Sequence, residues 1–201
     1  MTQPNRLFFA AVLCAGLFAG PAMAGPTEDA EAAFAADNKG DYVTAMKLYQ
    51  SAAAGGIPYA MFNIGVMYFD GKGVDRSYIN AMKWYKQAAE KGYAQAQFAM
   101  GTMYEQSQGV KKDVAEAVKW YTQAANQGLM PAQQNLGVIY TTGEVGVPMN
   151  LVQAHLWFNL ASKENSSAGS RRDRLKAKMT PAQLAEAEKL FKEWKPVYPK
   201  K

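Results

Sequence analysis

The amino-acid sequence predicts an all-α protein, a right-handed superhelical α/α solenoid of about three and a half repeats closed by a C-terminal capping helix pair. Three observations predict it. The phrase AMKWYKQAAEKG at 81–92 returns as AVKWYTQAANQG at 117–128, with eight of twelve residues identical. Ten positions of the first unit recur 36 residues later in the second, and a period in the mid-thirties marks a helical solenoid. Apolar residues recur at spacings of three and four, and no strand pattern is apparent.

The chain has 201 residues, 49% of them hydrophobic and 12% aromatic, with 19% charged. That composition supports a buried core and excludes a disordered chain. At the N-terminus, MTQPNR carries one basic residue, the apolar run LFFAAVLCAGLF follows, and Ala22-Met23-Ala24 precedes Gly25. These are the three parts of a secretory signal peptide over 1–24, with cleavage expected after Ala24 and a periplasmic or secreted destination. The run is shorter than the ~20 apolar residues of a membrane span, and no transmembrane segment is expected in the mature chain. Cys14, the only cysteine, lies within this leader behind Leu13, where lipid attachment would need a small residue. The mature chain then has no disulfide and is stabilised by packing alone.

Residues 25–56 read as an N-terminal cap. TEDAEAAFAADNKG makes a short polar helix, and DYVTAMKLYQSAAAGG at 41–56 matches the second helix of a repeat, with Asp41 as its cap. Polar terminal units are expected where a stack faces solvent.

Full repeats follow at 57–92, 93–128 and 129–165. Each resolves into a helix A and a helix B. Helix A carries the stripe Ala60, Ile64, Gly65 and Tyr68 in the first repeat, then Ala96, Gly101 and Tyr104, then Ala132, Gly137 and Tyr140. A mid-helix glycine costs about 1 kcal/mol against alanine, so its recurrence implies a neighbour too close for a side chain. The aromatic pair of helix B is the expected neighbour. Loops FDGKGV, EQSQGV and TTGEVGV lead to Ser77, Asp113 and Asn150, whose side chains can accept first-turn N–H groups. Helix B then carries Ala81, Trp84, Tyr85, Ala88 and Ala89, repeated as Ala117, Trp120, Tyr121, Ala124 and Ala125 and, more loosely, as Ala154, Trp157, Phe158 and Ala161. Gly92 and Gly128 end the first two of these helices in the left-handed manner. Trp84 and Trp120 are expected to be buried.

Residues 166–201 form the basic C-terminal cap. SSAGSRRDRLKAKM reads as one helix and MTPAQLAEAEKLFKEW as another, with Thr180 as N-cap, Pro181 at the first helical position and Gln183 closing a capping box. Leu184, Ala187, Leu190, Phe191 and Trp194 form the apolar face of the second.

The pattern A-x-x-x-L-G-x-x-Y, then G-x-G-V, then A-x-x-W-Y-x-x-A-A-x-x-G resembles the Sel1-like repeat family, relatives of the tetratricopeptide repeats, over roughly 41–162. Met100 stands where leucine is usual, Ser107 replaces a loop glycine, and the third loop has one extra residue. The resemblance implies an α/α superhelix that binds other macromolecules as an adaptor and has no activity of its own.

Phe62, Val66 and Phe69 form a second apolar set on helix A, off the stripe of Ala60 and Tyr68. A helix apolar on two faces is buried on both or offers one to a partner. In tetratricopeptide solenoids helix A lines the concave surface. The resemblance therefore implies an inner row of Phe62, Phe98 and Gln134, with Val66, Thr102 and Val138 beside it, then Phe69, Glu105 and Thr141. Two readings stand: the rings fill gaps between successive helices, or they line a groove for a peptide or amphipathic helix.

Signals for chemistry are absent. His155 is the only histidine and has no cysteine to join it in a metal site. No G-x-S-x-G or S-x-x-K motif occurs, no phosphate cradle follows a strand, and no carboxylate pair stands out. No enzyme activity, cofactor or metal is expected. Exported, cysteine-rich members of the resembled family have been associated with β-lactam binding or hydrolysis, a reading this chain supports poorly without mature cysteines. Charge is asymmetric: residues 171–201 hold ten basic and four acidic residues, and 25–170 hold eleven and thirteen. The basic tail could meet an anionic envelope polymer or membrane surface; nucleic acid is not expected for an exported chain. The leading expectation is an exported scaffold binding a protein or peptide partner, with the polymer-binding tail as alternative.

Overall fold

The computed structural model describes residues 25–198. The expected signal peptide, its cleavage point and Cys14 lie outside the described residues. Within them the chain forms α1 (Pro26–Asn38), α2 (Tyr42–Ala54), α3 (Pro58–Asp70), α4 (Tyr78–Glu90), α5 (Ala94–Gln106), α6 (Val114–Asn126), α7 (Met130–Thr142), α8 (Leu151–Ala161), α9 (Ser166–Lys176) and α10 (Pro181–Glu193). Each odd helix through α7 packs on the even helix after it, and each even helix through α8 packs on the next odd one. This is the α/α solenoid, with α3, α5 and α7 as helices A.

The expected caps form. Asp41, Ser77, Asp113 and Asn150 accept the amides of Thr44, Asn80, Glu116 and Gln153 at 2.9–3.2 Å. Each oxygen satisfies a donor that the helix leaves without an internal partner. Thr180 and Gln183 close a capping box at the start of α10. The extra residue of the third loop is absorbed by a tight turn in which Glu144 and Val147 exchange two backbone hydrogen bonds of 2.8 Å.

The mid-helix glycines meet aromatic rings. A Cβ on Gly65 would lie 2.6 Å from Tyr85, one on Gly101 2.5 Å from Tyr121, and one on Gly137 2.7 Å from Phe158. The ring is therefore the second member of each aromatic pair, and Tyr85, Tyr121 and Phe158 are buried. The tryptophans behave differently from expectation. Trp84 and Trp120 are half-buried and sit at the edge of the core clusters. Trp157 is buried, in the cluster that Leu190 and Phe191 of α10 and Trp194 just beyond it complete. Adjacent residues on a helix point about 100° apart, so only one of the pair can face helix A, and its neighbour is covered where a further helix lies over it.

The C-terminal pair does not close the stack as one unit. Both α9 and α10 pack on α8, which is why α8 is buried along almost its whole length. The amide of Val197, beyond α10, donates to the carbonyl of Asn126 at the end of α6 at 2.8 Å. The tail thus folds back along helices B. No described helix is long and apolar enough to cross a membrane.

Gly101→Ala should lower the unfolding free energy by about 1–3 kcal/mol, because overpacking against the Tyr121 ring outweighs the gain in helix propensity. Gly169→Ala on α9 is the control: its nearest neighbour is the Cβ of Ser162 at 3.6 Å, so the change should stabilise by about 0.5–1 kcal/mol. Denaturant titration of the two variants checks both signs.

Candidate functional site

The helix-A face carries the residues that vary while the motif positions repeat. Phe62 leans on the Tyr85 ring at 5.5 Å between centroids and on Tyr93 at 5.4 Å. Phe98 repeats the arrangement on Tyr121 at 5.4 Å. Phe69 packs on Tyr78 at 5.1 Å. All three phenylalanines are half-buried. Each packs on a tyrosine and keeps part of its surface in contact with solvent. In the third repeat the row turns polar: Gln134 replaces the phenylalanine, and Val138 is 39% exposed.

Tyr121 is rooted in the core, yet its hydroxyl reaches this face. It donates to Glu105 Oε2 at 2.6 Å and lies 3.2 Å from Thr102 Oγ1. Burial, and then the Glu105 carboxylate, push its phenol above the usual range, so it stays neutral and serves as a donor. Thr102 and Thr141 also bond back to the carbonyls of Phe98 and Gly137 at 3.1 and 2.7 Å. The structure brings Phe62, Val66 and Phe69 together on α3, Phe98, Thr102 and Glu105 on α5, and Gln134, Val138 and Thr141 on α7. None of these nine side chains is fully buried.

A set of glutamines escaped the sequence reading. Gln97 Nε2 donates to the carbonyl of Ala89 at 3.2 Å, and Gln133 Nε2 to that of Ala125 at 3.1 Å. Gln127 Nε2 bonds Gln97 Oε1 at 2.8 Å and the carbonyl of Gly92 at 3.0 Å. Each glutamine near the start of a helix A thus adds a second donor to a carbonyl in the last turn of the preceding helix B, which already accepts the amide of Gly92 or Gly128 at 2.9 Å. Their 36-residue spacing, one place after Ala96 and Ala132, was the available signal.

His155 is 1% exposed on α8, and among the described residues neither ring nitrogen has a hydrogen-bond partner. Burial lowers its pKa, aided by Lys176 and Arg172 and opposed more weakly by Glu188 and Asp173. Among the described residues no group of three or more His, Cys, Asp or Glu side chains is placed to hold a metal ion.

Repeats at 38–57, 58–93, 94–129 and 131–166 match the model of the Sel1 repeat, and the chain belongs to the Sel1 repeat family. Its structure is similar to that of a protective antigen present in uropathogenic Escherichia coli strains and displaying an SLR fold, at TM-score 0.74 and 34% identity over 84% of this chain. It is also similar to a Sel1 repeat protein from Oxalobacter formigenes, at TM-score 0.68 and 33% identity over 71% of this chain. The matches span 37% and 59% of those two chains. Among proteins of curated function, none matches.

Unfolded His155 takes a proton near pH 6.5, whereas the buried ring resists it. The unfolded state then binds more protons, so this group's contribution is present above about pH 6.5 and is lost as pH falls towards the lowered folded value. Between pH 7.5 and 5 the native protein should therefore lose more stability than His155→Phe, measured by denaturant titration at each pH. Parallel losses would contradict this reading.

Proposed function

We propose that the protein is an exported, non-catalytic scaffold that holds a protein or peptide partner along its helix-A face. Proteins built from Sel1 repeats are generally protein-interaction scaffolds. The observation that carries the reading here is the set of half-buried rings at Phe62, Phe69 and Phe98, with exposed Val138 beside their rows on α7. Such rings are already ordered by the tyrosines behind them, so a partner that covers them loses little side-chain freedom on binding. The outer side of α4 is more polar: Lys83, Lys86, Gln87 and Glu90 are all exposed, with Ile79 the one large apolar side chain exposed on that helix. The N-terminal sequence, with its short apolar run and Ala22-Met23-Ala24, supports export.

Expressed with its own N-terminus, the protein should be recovered from the periplasm or medium, and crosslinking there followed by pull-down should yield a specific protein. Phe62→Ala with Phe98→Ala should reduce that recovery about tenfold, as expected when aromatic anchors are truncated. Equal recovery by a folded double variant would reject the groove, and retention in the cytoplasm would reject export.

A further inference from the structure

The helix-A row does not end at α7. Helices α3, α5, α7 and α9 begin at residues 58, 94, 130 and 166, always 36 apart. Ala168, fully buried, takes the place of Ala132, and buried Leu175 that of Ile139. By its register α9 is a further helix A, although it lacks the glycine and tyrosine of the motif. The row of Val66, Thr102 and Val138 continues 36 residues on at Arg174.

Between α7, α8 and α9 lies a recess of about 340 Å³ lined by Val138, Thr141, Thr142, Phe158, Leu175 and three cations, Arg171, Arg174 and Lys178. Valine, phenylalanine and leucine supply an apolar wall. The guanidinium of Arg171 stands 6.0 Å from the centre of the Phe158 ring. Arg174 Nε donates to the carbonyl of Ser170 at 3.3 Å and has no other bond among the described residues. The hydroxyls of Thr141 and Thr142 donate to Gly137 and Val138 of their own helix at 2.7 and 3.2 Å. The cations are therefore the donors left for a ligand. No carboxylate lines the recess, and the neighbouring Asp173 is paired with Arg172 at 2.8 Å. Among the described residues none of the three cations forms an ion pair.

Three unpaired cations in one recess repel each other, a cost that an anion removes. We infer that this recess is the specificity pocket of the helix-A face and takes an acidic peptide segment, with two or more Asp or Glu carboxylates beside an apolar side chain. Its volume, at the small end of the ~300–1,000 Å³ that ligand pockets span, suits a short stretch of peptide. Its continuity with Val138 and Thr141 joins it to the groove, and its apolar wall beside the cations favours a peptide over a membrane surface. The inference rests on the groove reading and adds the charge of the partner.

The test is selection of random peptides displayed on phage by the protein and by the Arg174→Gln, Lys178→Gln variant, whose substituted side chains are exposed. The native protein should enrich peptides with clustered Asp or Glu next to apolar residues. A selected peptide, synthesised, should bind the variant about tenfold more weakly and lose affinity in high salt. Peptides selected without acidic bias, equally by both proteins, would overturn the pocket and leave the groove standing. Failure of the native protein to select any peptide would overturn both. Binding to phosphatidylglycerol vesicles that the variant loses, without peptide selection, would assign the cations to a membrane instead.

Discussion

The structure depends on one close contact made three times, a glycine of helix A against an aromatic ring of helix B. With no Cβ in the way, the Tyr85, Tyr121 and Phe158 rings come against the helix-A backbone at Gly65, Gly101 and Gly137. Packed interiors tolerate little change in volume, so this contact sets the distance between the two helices of a pair. The small alanines around it, Ala81, Ala88 and Ala89 in the first repeat, are buried on the same helix as Tyr85 and let the backbones stay close. The next layer follows: glutamines at the start of the second and third helices A bond last-turn carbonyls of the helix B before them, and repeat is tied to repeat.

Because the motif residues are occupied by this packing, the proposed partner would be met by the positions beside them. Phe62 and Phe98 rest on the same tyrosines that the glycines admit, so the lock that builds the repeat also holds the anchors of the proposed groove in place. The polar end of the face is built differently. There Gln134 stands in the row of rings, and the valine row passes into Arg174. A face that changes from aromatic to cationic along its length has a direction, and a peptide laid along it would be read from end to end.

Much of this was legible from spacing. The caps at Asp41, Ser77, Asp113 and Asn150, the capping box at Thr180 and the aromatic neighbour of each glycine all follow from local rules acting within one helix or one pair. Burial of the tryptophans was not legible, because Trp84 and Tyr85 are both large and apolar and their order alone does not say which faces helix A. Trp157 became buried only through α10, a contact made across the fold. Helix α9 read as one half of a cap, since it lacks the motif glycine and tyrosine. Its place as a helix A shows in where it begins and in Ala168. The recess beside it draws residues from three helices, which no pattern within one of them reveals.

The central claim is that the partner lies on the helix-A face and not on the outer side of the solenoid. Site-specific photocrosslinking tests it most directly, with a photoreactive residue placed at Val138 in one variant and at Lys83, exposed on α4, in another. The account predicts a covalent adduct with one partner from position 138 and none from position 83. Adducts from position 83 alone, or in equal yield from both, would contradict it.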